Sequence, residues 1–90
     1  MTNTTTKETY NGWKNRSTWN VALWIQNDYN LYQMAVEYKN RIQKDDKNRT
    51  VKYSAFIRSM GMQYDKTPDN IKWISNLLDY PALNEMMMEL

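Results

Sequence analysis

The chain has 90 residues, a net charge of +2 at neutral pH, no cysteine and no histidine. A chain of this length makes one small domain, and aromatic residues, 13% of the sequence, supply much of the apolar surface that its core needs. The absence of cysteine excludes disulfides and thiolate chemistry, and the absence of histidine removes the commonest metal ligand and general base. The composition therefore predicts a protein without a metal site and disfavours catalysis.

Residues 1–9 are polar, rich in threonine and without hydrophobic periodicity. They are predicted to form a flexible, disordered tail in front of a single helical domain over residues 10–90. No apolar run reaches the roughly 18 residues of a membrane span, and the N-terminus has no apolar signal core. The chain is therefore expected in the cytoplasm, with no membrane partner.

Residues 11–28 hold three of the four tryptophans together with many short polar side chains. Gly12 indicates a turn, and Ser17 or Thr18 offers an N-cap for a helix over residues 18–27. Apolar residues cover most of the circumference of this helix, which is typical of a buried helix. The segment is predicted to be the central core element, with its tryptophans in the core.

Two further helices are predicted from apolar residues at helical spacing. The first spans residues 30–44 and is capped by Asp28 or Asn30, and the next spans residues 51–60 and is capped by Thr50. The apolar stripe of the first of these two helices consists of Leu31, Met34, Ala35, Tyr38 and Ile42.

The C-terminal third of the chain contains a turn and one more helix. Pro68 pre-sets a turn over residues 67–70, and residues 71–73 are either extended or the start of a short helix. Asp79 is the predicted cap of a last helix over residues 80–89. The chain is thus predicted to be all-α, a compact bundle of four to five short helices.

Catalytic and metal-binding patterns are weak throughout the sequence. The acidic residues fall in predicted caps, loops and solvated faces, and no two of them form a convincing catalytic pair. The serines have no histidine to activate them, and both glycines are isolated, which excludes a glycine-rich phosphate loop. Asp45, Asp46 and Asn48 lack the spacing of a calcium loop. We expect a non-enzymatic protein that needs no metal and no cofactor.

Two features indicate contact with another protein. The polar side chains around the first helix either present hydrogen bonds to a partner or tie a buried loop, and the second interpretation is the stronger one. Met86 and Met87 fit an apolar stripe, so Met88 is expected to be exposed, either at an adaptable docking or dimer contact or as one stray side chain of an ordinary core. The predicted protein-binding residues are Lys14, Asn15, Arg16, Asn20 and Met88.

A basic region between residues 39 and 52 suggests nucleic acid as an alternative partner. Tyr38 and Tyr53 flank it and could stack on bases, although both also belong to core stripes. The nucleic-acid-binding residues of this alternative are Lys39, Arg41, Lys44, Lys47, Arg49 and Lys52. A third hypothesis is a small-ligand sponge, for example for nucleotides, that uses the aromatic segment 11–28.

The run GWKNRSTWNVALWIQND, residues 12–28, resembles a family of small proteins encoded by tailed phages, cyanobacteria and other bacteria. Residues 66–69 and 83–86 are similar to the same family, so the resemblance covers residues 11–28 and 67–90. It implies a compact cytoplasmic accessory protein, often carried on mobile genomes, and assigns no catalytic or binding residue. The leading hypothesis is a phage-type factor that binds or inhibits a host protein, and self-association as a dimer is a further expectation.

Overall fold

The computed structural model describes residues 10–90, and this range contains four α-helices and no β-strand. The all-α prediction is therefore confirmed, while the predicted tail at residues 1–9 lies outside the described residues. The helices are α1 (Arg16–Asn27), α2 (Tyr29–Ile42), α3 (Tyr53–Ser59) and α4 (Tyr80–Met88).

Helix α1 begins earlier than predicted because Asn15 caps it. The Asn15 backbone is extended, and its side-chain oxygen accepts the N–H of Thr18 at 2.8 Å. The prediction of Ser17 or Thr18 as the cap is wrong. Thr18 is fully buried inside the first turn, and its hydroxyl accepts the N–H of Asp79 at 3.0 Å. An asparagine cap is at least as favourable as a serine or threonine cap, so the helix starts at the earlier position.

Asp28 is the only residue between α1 and α2, and it serves both helices. Its backbone N–H donates to the carbonyl of Trp24 at 2.9 Å, and its carboxylate accepts the N–H of Leu31 at 3.0 Å. Of the two predicted caps, Asp28 is thus the one that is used. The connection of one residue keeps α1 and α2 packed against each other.

Helix α3 is shorter than predicted and has no cap from its own neighbourhood. It starts at Tyr53, the preceding Lys52 makes no side-chain cap, and Val51 is fully buried outside the helix. The N–H of Tyr53 instead donates to the side-chain oxygen of Asn84 in α4 at 2.8 Å. The prediction of Thr50 as the cap is wrong because the donor in the first turn is satisfied from another helix.

The turn at residues 67–70 is confirmed, and the segment that follows it is extended. The N–H of Asn70 donates to the carbonyl of Thr67 at 2.8 Å, and Asn70 has a positive φ of 70°. Lys72 then forms an isolated antiparallel bridge with Lys66. This pairing carries the chain to Trp73, which is only 3% exposed and anchors the irregular segment to the core.

Helix α4 begins as predicted. The Asp79 carboxylate accepts the N–H of Ala82 at 3.3 Å, and Pro81 lies in the first turn, where its missing N–H costs nothing.

The core draws on all four helices and on the loops between them. Burial of each large apolar side chain contributes about 1.5–3 kcal/mol. The buried apolar residues are Val21, Ala22, Ile25, Ala35, Val51, Tyr53, Phe56, Ile57, Trp73, Leu78, Leu83, Met86 and Met87. Within the described range, no helix has the length and apolarity to cross a membrane, and no cluster of three acidic side chains is placed to hold a metal ion.

Candidate functional site

A buried polar network joins α1 to the turn at residues 67–70. Asn20 is fully buried, and its amide nitrogen donates to the Asp69 carboxylate at 2.7 Å. The Asn20 side-chain oxygen accepts the hydroxyl of Thr67 at 2.7 Å. The Thr67 oxygen in turn accepts the N–H groups of Asp69 and Ile71, each at 3.2 Å. Asn20 is therefore an internal tether, and a partner cannot reach it on the folded surface.

Asp69 is the second centre of this network. Besides Asn20, it accepts the indole N–H of Trp24 at 2.9 Å. These two hydrogen bonds, together with the positive charge of Arg16, lower the pKa of Asp69 below its ordinary value. The carboxylate is thus held in its charged form, and it satisfies the indole N–H that a half-buried tryptophan would otherwise leave without a partner.

Asn15 is also structural. In addition to capping α1, its amide nitrogen donates to the backbone carbonyl of Leu77 at 2.7 Å. The beginning of α1 is therefore fastened to the segment before α4. Of the four predicted polar residues at this end, Lys14 and Arg16 are the two whose side chains are exposed.

The tryptophans of the segment do not all belong to the core. Trp13 and Trp24 are half-buried and pack against the core, as predicted. The placement of Trp19 in the core is wrong, because its ring instead packs against Tyr10, with ring centroids 4.7 Å apart. Trp19 therefore covers the outer side of α1.

Met88 lies away from the other predicted protein-binding residues and is half-buried rather than exposed. Its sulfur accepts the side-chain N–H of Gln43 and the backbone N–H of Val51, both at 3.3 Å. The predicted protein-binding set therefore does not form one surface. Its exposed members are the two cations near the start of α1.

The basic region contains four exposed cations on one loop and two engaged ones on α2. The Lys39 ammonium donates to the main-chain oxygen of Leu90 at 2.8 Å, and the Arg41 guanidinium lies 5.5 Å from the centroid of the Tyr38 ring. The four cations of the loop, Lys44, Lys47, Arg49 and Lys52, are exposed, and so is Arg41.

The two tyrosines that flank the basic region are committed to the core. Tyr53 is fully buried, its hydroxyl donates to the carbonyl of Trp73 at 2.6 Å, and burial raises its pKa. Tyr38 is half-buried and packs against Phe56, with ring centroids 5.5 Å apart. The expectation that these rings stack on bases is therefore wrong, and a nucleic acid would be held there by charge alone.

Helix α2 carries apolar surface that the sequence pattern did not reveal. Tyr29 is 75% exposed, Tyr32 is 36% exposed, and Val36 is half-buried. Positions i, i+3 and i+7 share one side of a helix, so these three residues form a continuous strip, which we call the tyrosine face. Met34 lies on another side and is 45% exposed, so its assignment to the core stripe is wrong.

Two open pockets flank α1. One, of about 340 Å³, has an acidic and aromatic wall that includes Trp13, Glu85 and Glu89. The other, of about 300 Å³, lies beside the start of α1 and includes two lysines, and we call it the lysine pocket. The lysine pocket is lined by Ser17, Lys66, Asn70, Ile71, Lys72, Ser75 and Leu77.

Comparison with known proteins gives one match. Residues 6–90 match the model of a family of unknown function, DUF7249. No curated protein and no solved structure matches the chain. The matched range includes residues 11–28 and 67–90 together with the helices between them.

Proposed function

The chain belongs to DUF7249, a family of unknown function, and we propose that it is a small non-enzymatic protein that acts by binding another protein. The observation that carries this proposal is the tyrosine face, in which Tyr29 and Tyr32 are exposed on a helix whose opposite side packs into the core. Tyrosine is enriched at the energetic centres of protein interfaces because its ring buries a large area at a low cost in side-chain entropy.

The geometry favours insertion of α2 into an apolar groove of the partner. A helix that binds in this way presents anchors at i, i+3 or i+4, and i+7, which is the spacing of Tyr29, Tyr32 and Val36. The polar neighbours Gln33 and Asn40 are exposed beside this strip and would form its rim. The opposite side of α2 packs into the core, where Ala35 is fully buried. The core therefore fixes the position of the helix that carries the anchors.

The resemblance to phage-encoded proteins supplies the setting of this proposal. In that setting the partner is a host protein in the bacterial cytoplasm, which the chain binds or inhibits. A second copy of the chain is the competing partner, because the same face could pair with itself.

Photo-crosslinking at the tyrosine face tests the proposal. A photoreactive amino acid is placed at Tyr29 in one protein and at Tyr64, which is 92% exposed on a loop, in the control. Both proteins are irradiated in bacterial lysate. We expect a discrete adduct from position 29 that an excess of unlabelled wild-type chain prevents, whereas a competitor chain with Tyr29→Ala and Tyr32→Ala should not prevent it. Equal adducts from both positions would contradict the proposal, and an adduct of twice the chain mass would identify the second copy as the partner.

Nucleic-acid binding is the second candidate, and the observation in its favour is the group of four exposed cations on the loop after α2. The exposed Asp45 and Asp46 offset two of these charges, so residues 44–52 carry a net charge of +2. We expect binding to be weak and to decrease with salt, since it would rest on phosphate contacts. Gel-shift titration of the triple variant Lys44→Glu, Lys47→Glu and Arg49→Glu checks this candidate, and affinity that does not change in the variant would remove it.

A further inference from the structure

The lysine pocket has a feature that none of the proposals above uses. The antiparallel bridge between Lys66 and Lys72 places two cations directly across from each other. In such a pair the Cβ atoms are about 4.5–5.5 Å apart, and like charges in this position repel. Both side chains are exposed, and both line the same pocket. An anion between the two ammonium groups would remove this repulsion.

Two serines that line the pocket supply hydrogen-bond donors. Ser17 lies in the first turn of α1, a helix of 12 residues. The first amides of a helix have no partner within the helix, and the Asn15 cap engages the amide of Thr18, which leaves those of Arg16 and Ser17. Ser75 also lines the pocket, and its hydroxyl, which accepts the N–H of Leu77 at 3.2 Å, still has its own proton to donate. The donors therefore approach from α1 and from the segment before α4, while the lysines approach from the bridge.

Of the three remaining lining residues of the pocket, two are apolar, Ile71 and Leu77, and the third is the exposed Asn70. Ile71 is half-buried at its side, and Leu77 is 65% exposed at its rim. A bare inorganic anion would leave these side chains uncovered, whereas an anion that carries an apolar or aromatic group would cover them. The volume of about 300 Å³ is at the lower end of small-molecule sites.

Two carboxylates lie near the lysine pocket and could compete with an anion for its lysines. Asp69 adjoins the pocket in sequence, but its carboxylate is engaged by Asn20 and Trp24. Asp65 lines a neighbouring groove together with Lys72 and is the acid that competes for that lysine.

We propose that the lysine pocket binds a phosphate monoester with an aromatic group, of the size of a nucleoside monophosphate. Lys66 and Lys72 hold the phosphate, the hydroxyl and amides of the α1 start donate to it, and Leu77 covers the aromatic group. This site is separate from the tyrosine face, so it stands or falls independently of the proposed protein-binding function.

Titrations with three probes test the proposal: adenosine monophosphate, inorganic phosphate and adenosine. Binding is followed by amide chemical shifts in NMR spectra of the full chain. We expect adenosine monophosphate to bind several-fold more tightly than phosphate, with the shifts centred on Ser17, Lys66 and Lys72, and adenosine not to bind.

Two variants of equal net charge localise the site. Lys66→Gln with Lys72→Gln should weaken binding of adenosine monophosphate about tenfold or more, because charge-assisted hydrogen bonds to the phosphate are lost. Lys44→Gln with Lys47→Gln, in the basic loop, should leave it unchanged. Leu77→Ala should lower the affinity for adenosine monophosphate towards that for phosphate. All four changed lysines are exposed, so both double variants should fold. The thermal midpoint should stay unchanged in the basic-loop variant and should stay equal or rise in Lys66→Gln with Lys72→Gln, where a like-charge repulsion is removed.

Several results would overturn the proposal. Equal loss in both double variants would mean that the whole chain attracts anions through its charge. Adenosine binding as tightly as its monophosphate would exclude phosphate as the recognised group. Equal affinity for phosphate and adenosine monophosphate would exclude the aromatic group from the site, and absence of binding by all three probes would exclude the site itself.

Discussion

The starts of α1 and α3 are both capped by an asparagine, but from different distances along the chain. Asn15 lies three residues before the amide that it caps, whereas Asn84 lies 31 residues after its own, and both hydrogen bonds are 2.8 Å long. The α1 cap therefore forms as soon as its own turn forms, while the α3 cap requires that α4 has docked. Helices of similar appearance in the fold thus depend on local contacts in one case and on tertiary contacts in the other.

The largest expected effect comes from removing the long-range hydrogen bonds that join α1 to the turn at residues 67–70. Asn20→Ala should lower the free energy of unfolding by about 2–3 kcal/mol, because it removes hydrogen bonds to Thr67 and Asp69 at a fully buried position. Urea unfolding measures this loss. Asn40→Ala, at an exposed position of α2, is the matched control and should change stability by less than about 0.5 kcal/mol. A similar small change for Asn20→Ala would show that the network does not stabilise the fold.

Hydrogen exchange should distinguish the two asparagine caps even if their removal costs a similar free energy of unfolding. Asn15→Ala and Asn84→Ala should each cost about 1 kcal/mol, with a further loss at Asn15 for its bond to Leu77. Because Asn84 joins two helices, its removal should speed the exchange of amides in α3, while α4 keeps its own cap at Asp79. If Asn84→Ala leaves α3 exchange unchanged, the distant cap does not hold that helix.

The sequence predicted most features of the fold that depend on near neighbours, although it placed the cap of α1 at Ser17 or Thr18 instead of Asn15. The four helices follow from apolar spacing, and the caps at Asp28 and Asp79 lie within three residues of the amides that they bind. The cap of α3 was missed because its acceptor is 31 residues away, and no local pattern marks Asn84. In the same way, the partner of the Trp24 indole is 45 residues distant.

The candidate sites were harder to predict than the fold. Met34 fits the apolar spacing of α2, but spacing does not show which side of a helix remains uncovered, and Met34 is 45% exposed. The lysine pocket depends on the pairing of Lys66 with Lys72, and the sequence left the conformation of residues 71–73 open. A site built from a turn, a bridge and a helix start has no periodic signature.

Asp69 offers a smaller and pH-dependent way to weaken the long-range tether of α1. Its pKa is lowered in the folded state by the hydrogen bonds from Asn20 and Trp24. The stability that the carboxylate contributes is therefore present above its unfolded pKa of about 3.9 and is lost as the pH falls through the lower, folded value. Asp69→Asn removes this titration, so the difference in urea midpoint between wild type and variant should shrink as the pH falls below about 4. A difference that is constant with pH would exclude a contribution from the charged form.

The smallest expected effect is at Thr50, where the sequence pattern and the structure disagree. Local pattern makes Thr50 the cap of α3, and loss of a threonine cap costs about 1 kcal/mol. In the structure Thr50 is exposed, α3 begins at Tyr53, and Asn84 satisfies the first-turn amide. Thr50→Ala should therefore change the free energy of unfolding by less than about 0.5 kcal/mol, as at any exposed site without a special role. A loss of 1 kcal/mol in urea unfolding would mean that Thr50 caps α3 locally. The starts of α1 and α3 would then both depend on local contacts.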